Sequence, residues 1–151
     1  MFEQRTPLHV AARLGLDSIV AILLKDPNVN PIACDDNGMH PAHIAATHDH
    51  AGTLGQLLGH ANSEVNAMDS FGWTSLHWAA FNGATACVGC LMKGGASLTA
   101  KGVPRGLVLT TPSEMAREQG HDAIADMCAA PGEDANVRGG GGQKVAKPSL
   151  L

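Results

Sequence analysis

Four stretches of the chain read on one frame: TPLHVAARLG (Thr6 to Gly15), HPAHIAATHD (His40 to Asp49), TSLHWAAFNG (Thr74 to Gly83) and TPSEMAREQG (Thr111 to Gly120). Their starts lie 34, 34 and 37 residues apart. A second apolar segment follows each one after a residue or two: DSIVAILLK, AGTLGQLLG, TACVGCLMK and DAIADMCAA. A unit this short cannot bury its hydrophobic face alone, so a period in the low thirties implies a solenoid of stacked units. Each unit reads as helix, tight turn, helix and then an extended finger, such as PNVNPIACDDNGM or NSEVNAMDSFGW. The expected architecture is an all-α solenoid of helix-turn-helix units with extended finger loops. Its units start near residues 6, 40, 74 and 111 and fill residues 1–130. Residues 131–151 are expected to form a degenerate finger, PGEDANVRGG, and a flexible tail, GGGGQKVAKPSLL, whose composition lacks any periodicity.

The wording of the units resembles the ankyrin repeat family. Its pattern of Thr-Pro-Leu-His, a leucine pair, Val-Asn-Ala and Asp-x-x-Gly is met by Thr6-Pro7-Leu8-His9, Leu23-Leu24, Val65-Asn66-Ala67 and Asp69-Ser70-Phe71-Gly72. The resemblance runs from Met1 to about Arg138.

The recurring histidine has a local explanation. Thr6 is a good N-cap and Pro7 falls at the first helical position, where its missing N–H costs nothing. The third helical position is where a capping box places Glu or Gln, reaching back to the N-cap N–H. The fourth unit has that box outright in Thr111-Pro112-Ser113-Glu114, while His9, His43 and His77 occupy the Glu114 slot in the others. The resemblance further implies that these imidazoles bridge to the neighbouring finger. Gly15, Gly83 and Gly120 are expected to end their helices through a left-handed residue, with Asp49 as a tolerable substitute. Gly52 and Gly55 should make the second unit the weak one, at about 1 kcal/mol each against Ala. His40 replaces the capping threonine there, and KGVPRGLVL lengthens the third finger.

Composition removes several classes. A net charge of −4 with 16% charged residues offers no clustered basic surface for nucleic acid. No apolar run reaches the ~18 residues of a membrane span, and MFEQRTPLHV lacks the shape of a secretory signal. Cys34, Cys87, Cys90 and Cys128 are too few for a disulfide framework, which points to reduced thiols in an intracellular, cytoplasmic protein.

Two clusters raise metal or redox chemistry. HPAHIAATHDH brings His40, His43, His48, Asp49 and His50 together, but a capping role accounts for His40 and His43, and a turn role for His50; the spacing fits no standard ligand set. CVGC (Cys87 to Cys90) has neither the second pair of a zinc ribbon nor the βαβ setting of a thioredoxin-like motif. Cys87 and Cys90 align with Ile19 and Ile22, and Cys128 with Leu23, so core filling is the expectation. No catalytic motif is present; no metal and no cofactor are expected, and the chain is read as non-enzymatic.

The resemblance implies a concave side, lined by finger tips and inner helices, that holds a partner protein. Position maps Asp36, Asn37, Met39, Thr47 and His48 there from the second unit, and Ser70, Phe71, Trp73, Phe81 and Asn82 from the third. Aromatic residues are only 3% of the chain, and Phe71, Trp73 and Phe81 are three of the five. Clustered aromatics with polar neighbours suit an interface centre. The competing reading is that Trp73 and Phe81 seal adjacent units together; Trp78, inside its helix, is expected in the core. Two functions follow: a protein-interaction scaffold binding through its concave face, or the regulatory or substrate-recruiting arm of a larger enzyme such as a kinase or acyltransferase. The unit at Thr6 lacks the polar outer face of a terminal repeat, so partners are expected to cover that end, or else the chain is one arm of a longer polypeptide. Ser149-Leu150-Leu151 has the Ser-x-apolar form read by PDZ-type domains.

Overall fold

The structure, a computed structural model, describes residues 4–60, 64–102 and 109–130. The expectations for the tail, for Ser149-Leu150-Leu151 and for most of the lengthened third finger lie outside those residues. Four helix pairs follow one another: α1 (Pro7–Leu14) and α2 (Asp17–Leu23), α3 (Pro41–Thr47) and α4 (Ala51–Leu58), α5 (Ser75–Asn82) and α6 (Thr85–Lys93), α7 (Pro112–Glu118) and α8 (Asp122–Cys128). The inner helices α1, α3, α5 and α7 pack in a row, and α2, α4 and α6 form an outer row beside them. Among the described residues the only extended pairing is an isolated antiparallel bridge between Gly102 and Thr110.

The capping boxes form as the spacing requires. Nδ1 of His9 accepts from the Thr6 N–H at 3.1 Å, and Nδ1 of His77 from the Thr74 N–H at 3.1 Å. The His43 ring accepts from the His40 N–H at 3.0 Å, and Glu114 from the Thr111 N–H at 2.8 Å. With Nδ1 accepting, the ring hydrogen must sit on Nε2. That nitrogen donates to a carbonyl of the following finger: Met39 at 2.8 Å for His9, Ala67 at 2.9 Å for His43 and Thr110 at 3.0 Å for His77. One neutral ring thus closes its own helix and fastens the next unit. Glu114 caps its helix, and no such bridge from it is formed among the described residues.

The helix-ending residue and the unit behind it are matched. At Gly15 (φ 66°) and Gly83 (φ 71°) a histidine ring of the next unit lies so close that a Cβ would meet His50 at 2.6 Å or His121 at 2.8 Å. Asp49 adopts the same left-handed turn at φ 57°. The residue standing where His50 and His121 stand is there Ala84, whose methyl leaves room for a side chain. The carboxylate of Asp49 accepts from the Cys87 N–H at 3.1 Å, in the first turn of α6, a helix with no side-chain cap of its own. Asp49→Ala loses this bond and keeps an unfavourable φ, so it should cost about 2 kcal/mol. Asp49→Gly trades a lost bond for a relaxed backbone and should cost less than half of that. Urea unfolding of both variants checks the order; a Gly variant as costly as the Ala variant would show that the left-handed backbone at residue 49 carries no penalty.

Gly52 also has a reason to be there. A Cβ at that position would lie 2.5 Å from the Asp17 carboxylate, which accepts from the Thr53 hydroxyl between the first two units. The lost helix propensity of the second unit is the cost of that close approach.

Candidate functional site

The fingers are folded by their aspartates. Oδ1 of Asp35 accepts from the N–H of Asn37 (2.9 Å) and Met39 (3.0 Å), and Oδ1 of Asp69 from those of Phe71 (2.9 Å) and Trp73 (2.9 Å). Gly38 (φ 68°) and Gly72 (φ 72°) complete the two turns. The second oxygen of Asp69 accepts from the indole N–H of Trp78 at 2.6 Å, tying the finger to the inner helix α5. Burial pushes the Asp69 carboxyl above its ordinary range, against the pull of these N–H donors. Adjacent tips are joined by the Ser70 N–H, which donates to the Asn37 carbonyl at 2.9 Å.

This geometry corrects three of the expected surface residues. Trp73 is 0% exposed, Met39 2% and Asn37 3%. The aspartate turn draws the N–H groups two and four residues on towards one carboxylate and curls the tip inward. The Trp73 ring then lies 4.6 Å from Trp78 and 5.4 Å from Phe81, centroid to centroid. Trp73 and Met39 are buried packing residues. Trp78 is buried as expected, as are Cys87 and Cys128.

Asp36, His48, Ser70 and Asn82 are exposed, and Thr47, Phe71 and Phe81 are partly buried. Much of their polarity is already engaged. Asp36 accepts from the Gln4 N–H at 3.2 Å, the Thr47 hydroxyl donates to the His43 carbonyl at 2.8 Å, and the Asn82 amide donates to the Trp78 carbonyl at 2.8 Å. The His48 ring reaches the Ile44 carbonyl at 3.0 Å and stacks, nearly parallel, on His50 at 6.1 Å. Phe71 and Phe81 pack part of each ring against the core and present the remainder. The sequence reading missed Met68 and Leu109, 53% and 54% exposed on the second and third fingers. Each stands just ahead of a turn or cap, where helical periodicity carries no signal; Cys34, exposed at the position equivalent to Met68, was the available hint.

The buried thiols are poor nucleophiles. Burial pushes Cys87 up to about 12, with Asp49 adding to the effect, and Cys128 up to about 11. Among the described residues no three His, Cys, Asp or Glu side chains come together to hold a metal ion. No helix among them is long and apolar enough to cross a membrane.

Stacked helix pairs, histidine bridges to the next finger and aspartate-folded tips are together the ankyrin plan. The family model for ankyrin repeats, in three copies, matches residues 8–102, and the chain belongs to the ankyrin-repeat family. It is 33% identical to Tyrosine-protein kinase HTK16 of Hydra vulgaris over 112 residues, 74% of this chain and 14% of that protein. It is 34% identical to the Nuclear factor NF-kappa-B p105 subunit of Mus musculus over 130 residues, 84% of this chain and 13% of that one. With Rabankyrin-5 of Mus musculus it shares 39% over 73 residues, 48% of this chain and 6% of that protein. The chain therefore spans only a small part of the length of these relatives. Ankyrin repeats are in general protein-interaction modules.

Proposed function

We propose that this chain is a non-enzymatic protein-binding module whose partner lies along the side formed by the finger tips and inner helices, anchored on Phe71 and Phe81. The observation that carries the reading is the support beneath those rings. Phe81 rests on Trp73, Trp73 on Trp78, and Trp78 is pinned to Asp69, so the anchors start from fixed positions and lose little freedom on binding. Asp36, His48, Ser70 and Asn82 supply a polar rim, with Thr47 beside it. The cysteines are free, which suits a reducing compartment, and we place the module in the cytoplasm. Recovery of interacting proteins by proximity labelling, comparing the parent chain with Phe71→Ala and Phe81→Ala, tests this. Each truncation should weaken a bound partner about 30-fold, since an aromatic hot spot contributes ~2 kcal/mol. Unchanged recovery by a folded double variant would move the interface elsewhere.

The second reading, a recruiting or regulatory arm of a larger enzyme, is favoured by the likeness to a tyrosine-protein kinase over 74% of the chain. A transcript carrying these residues in frame with a catalytic domain would select it.

A further inference from the structure

The ends of the inner helices form a row, and the row is polarised. In equivalent positions of the four units stand Arg13-Leu14, Thr47-His48, Phe81-Asn82 and Glu118-Gln119. Arg13 and Glu118, at its opposite ends, are exposed, and among the described residues neither is held in an ion pair. Leu14 stands 54% exposed beside Arg13. Between the two charges each polar side chain gives a hydrogen to a carbonyl of its own helix: Thr47 to His43, His48 to Ile44 and Asn82 to Trp78. The Thr47 oxygen, Nε2 of the neutral His48 ring and the Asn82 side-chain carbonyl are left as acceptors. Asp49 does not add to the row, because its carboxylate is turned to the Cys87 N–H. Arg117 is half-buried at the position of Ala12, Ala46 and Ala80, and so stands behind the row. Burial, and then Glu114 one turn earlier, hold the Glu118 carboxyl above its ordinary range. A cation supplied from outside offsets both.

Resting on the binding side proposed above, we infer that the row recognises an extended peptide segment of a partner, acidic at the Arg13 end, apolar opposite Phe81 and basic at the Glu118 end. Packed helices lie about 8–10 Å apart, and an extended chain rises about 3.3 Å per residue. The two steps from Arg13 to Phe81 then span about six residues of such a segment, and the one step on to Glu118 about three. Whichever way the segment runs, its apolar residue stands nearer the basic one than the acidic one. Its backbone N–H groups, presented along one edge, meet the acceptors of Thr47, His48 and Asn82. A helical segment fits less well, because its N–H groups are used within the helix. A uniformly acidic segment would press carboxylates on Glu118, and a uniformly basic one would press cations on Arg13.

The test selects peptides from a randomised displayed library on the immobilised 151-residue chain. Enriched peptides should carry an acidic and a basic residue about nine positions apart, with an aromatic or aliphatic one about three from the basic residue. The selection is repeated with Arg13→Glu and with Glu118→Lys, which change exposed side chains and should keep the parent midpoint. Arg13→Glu should turn the acidic preference into a basic one and weaken the parent's best peptide about tenfold. Exchanging that peptide's acidic residue for lysine should restore binding to the variant. Glu118→Lys should do the converse at the other end. A preference that neither reversal moves, yet that Phe81→Ala abolishes, overturns the polarity and leaves the binding side standing. A preference that survives Phe81→Ala overturns both, for the interface then lies elsewhere. No enrichment above protein-free beads overturns the extended segment as occupant, while the recovery experiment above still decides the binding side.

Discussion

Trp73→Ala is expected to lower the unfolding free energy by about 3–5 kcal/mol, the range for removing a buried aromatic from a core. At this chain length that corresponds to a fall in midpoint of roughly 10–20 °C. The ring is fully buried, so its loss opens a cavity bounded by Trp78, Phe81 and the third finger, where a Cβ on Gly102 would lie 3.0 Å from it. The two tryptophans should part company when each is changed to Phe. The Trp73 indole N–H is buried with no acceptor among the described residues, so Trp73→Phe removes a group that already costs free energy. Its loss of volume is thereby offset, and the net cost should stay below about 1.5 kcal/mol. Trp78→Phe strands the Asp69 oxygen that accepts at 2.6 Å and should cost about 2–3 kcal/mol. Midpoints from circular dichroism give the ranking. A Trp73→Ala variant that keeps the parent midpoint would remove Trp73 from the core and return it to the surface.

That correction marks where sequence reasoning stopped. Helix starts were legible because the cap and the ring or carboxylate at the third position are local chemistry repeated in all four units, with the proline in three of them. The cysteine assignments followed from register alone. Trp73, Met39 and Asn37 were not legible because a finger tip has no period. Whether its side chains point in or out depends on two N–H groups converging on a single carboxylate, and on what the next finger lays over them. Phe71 and Trp73 differ by two residues and would share a face in a straight extended strand. The aspartate turn separates them, leaving one partly exposed and the other buried. The pairing of Asp49 with Ala84, against glycine with histidine at Gly15 and Gly83, was written in the sequence; its meaning needed the distance between the units.

The second large effect is expected on acidification. Burial holds His43 down at about 4, with His40 adding to the shift, and burial lowers His77 and His40 as well. The geometry gives the same direction, because Nδ1 of His43 and His77 accepts a backbone N–H and Nε2 already donates to the next finger. A second proton would have to sit on Nδ1, facing a hydrogen. The unfolded chain, with an ordinary histidine near 6.5, takes up that proton while the folded chain refuses it. Stability is therefore fully present above about pH 6.5 and is lost as pH falls towards 4, at roughly 1.4 kcal/mol per unit for a fully titrating histidine. For His43 alone the loss reaches about 3 kcal/mol by pH 4. Asp69, whose carboxyl is raised by burial, acts in the opposite sense and gains stability as it protonates. Urea titrations at pH 7.5 and pH 5 measure the sum, and His43→Gln isolates the term. Glutamine keeps an acceptor for the His40 N–H, as in a capping box, and has no proton to gain. It should cost about 1 kcal/mol at pH 7.5 through the lost bridge to Ala67, yet show a shallower decline towards pH 5. An unchanged pH slope in that variant would place the acid sensitivity on other groups and leave the buried histidine bridge with no part in it.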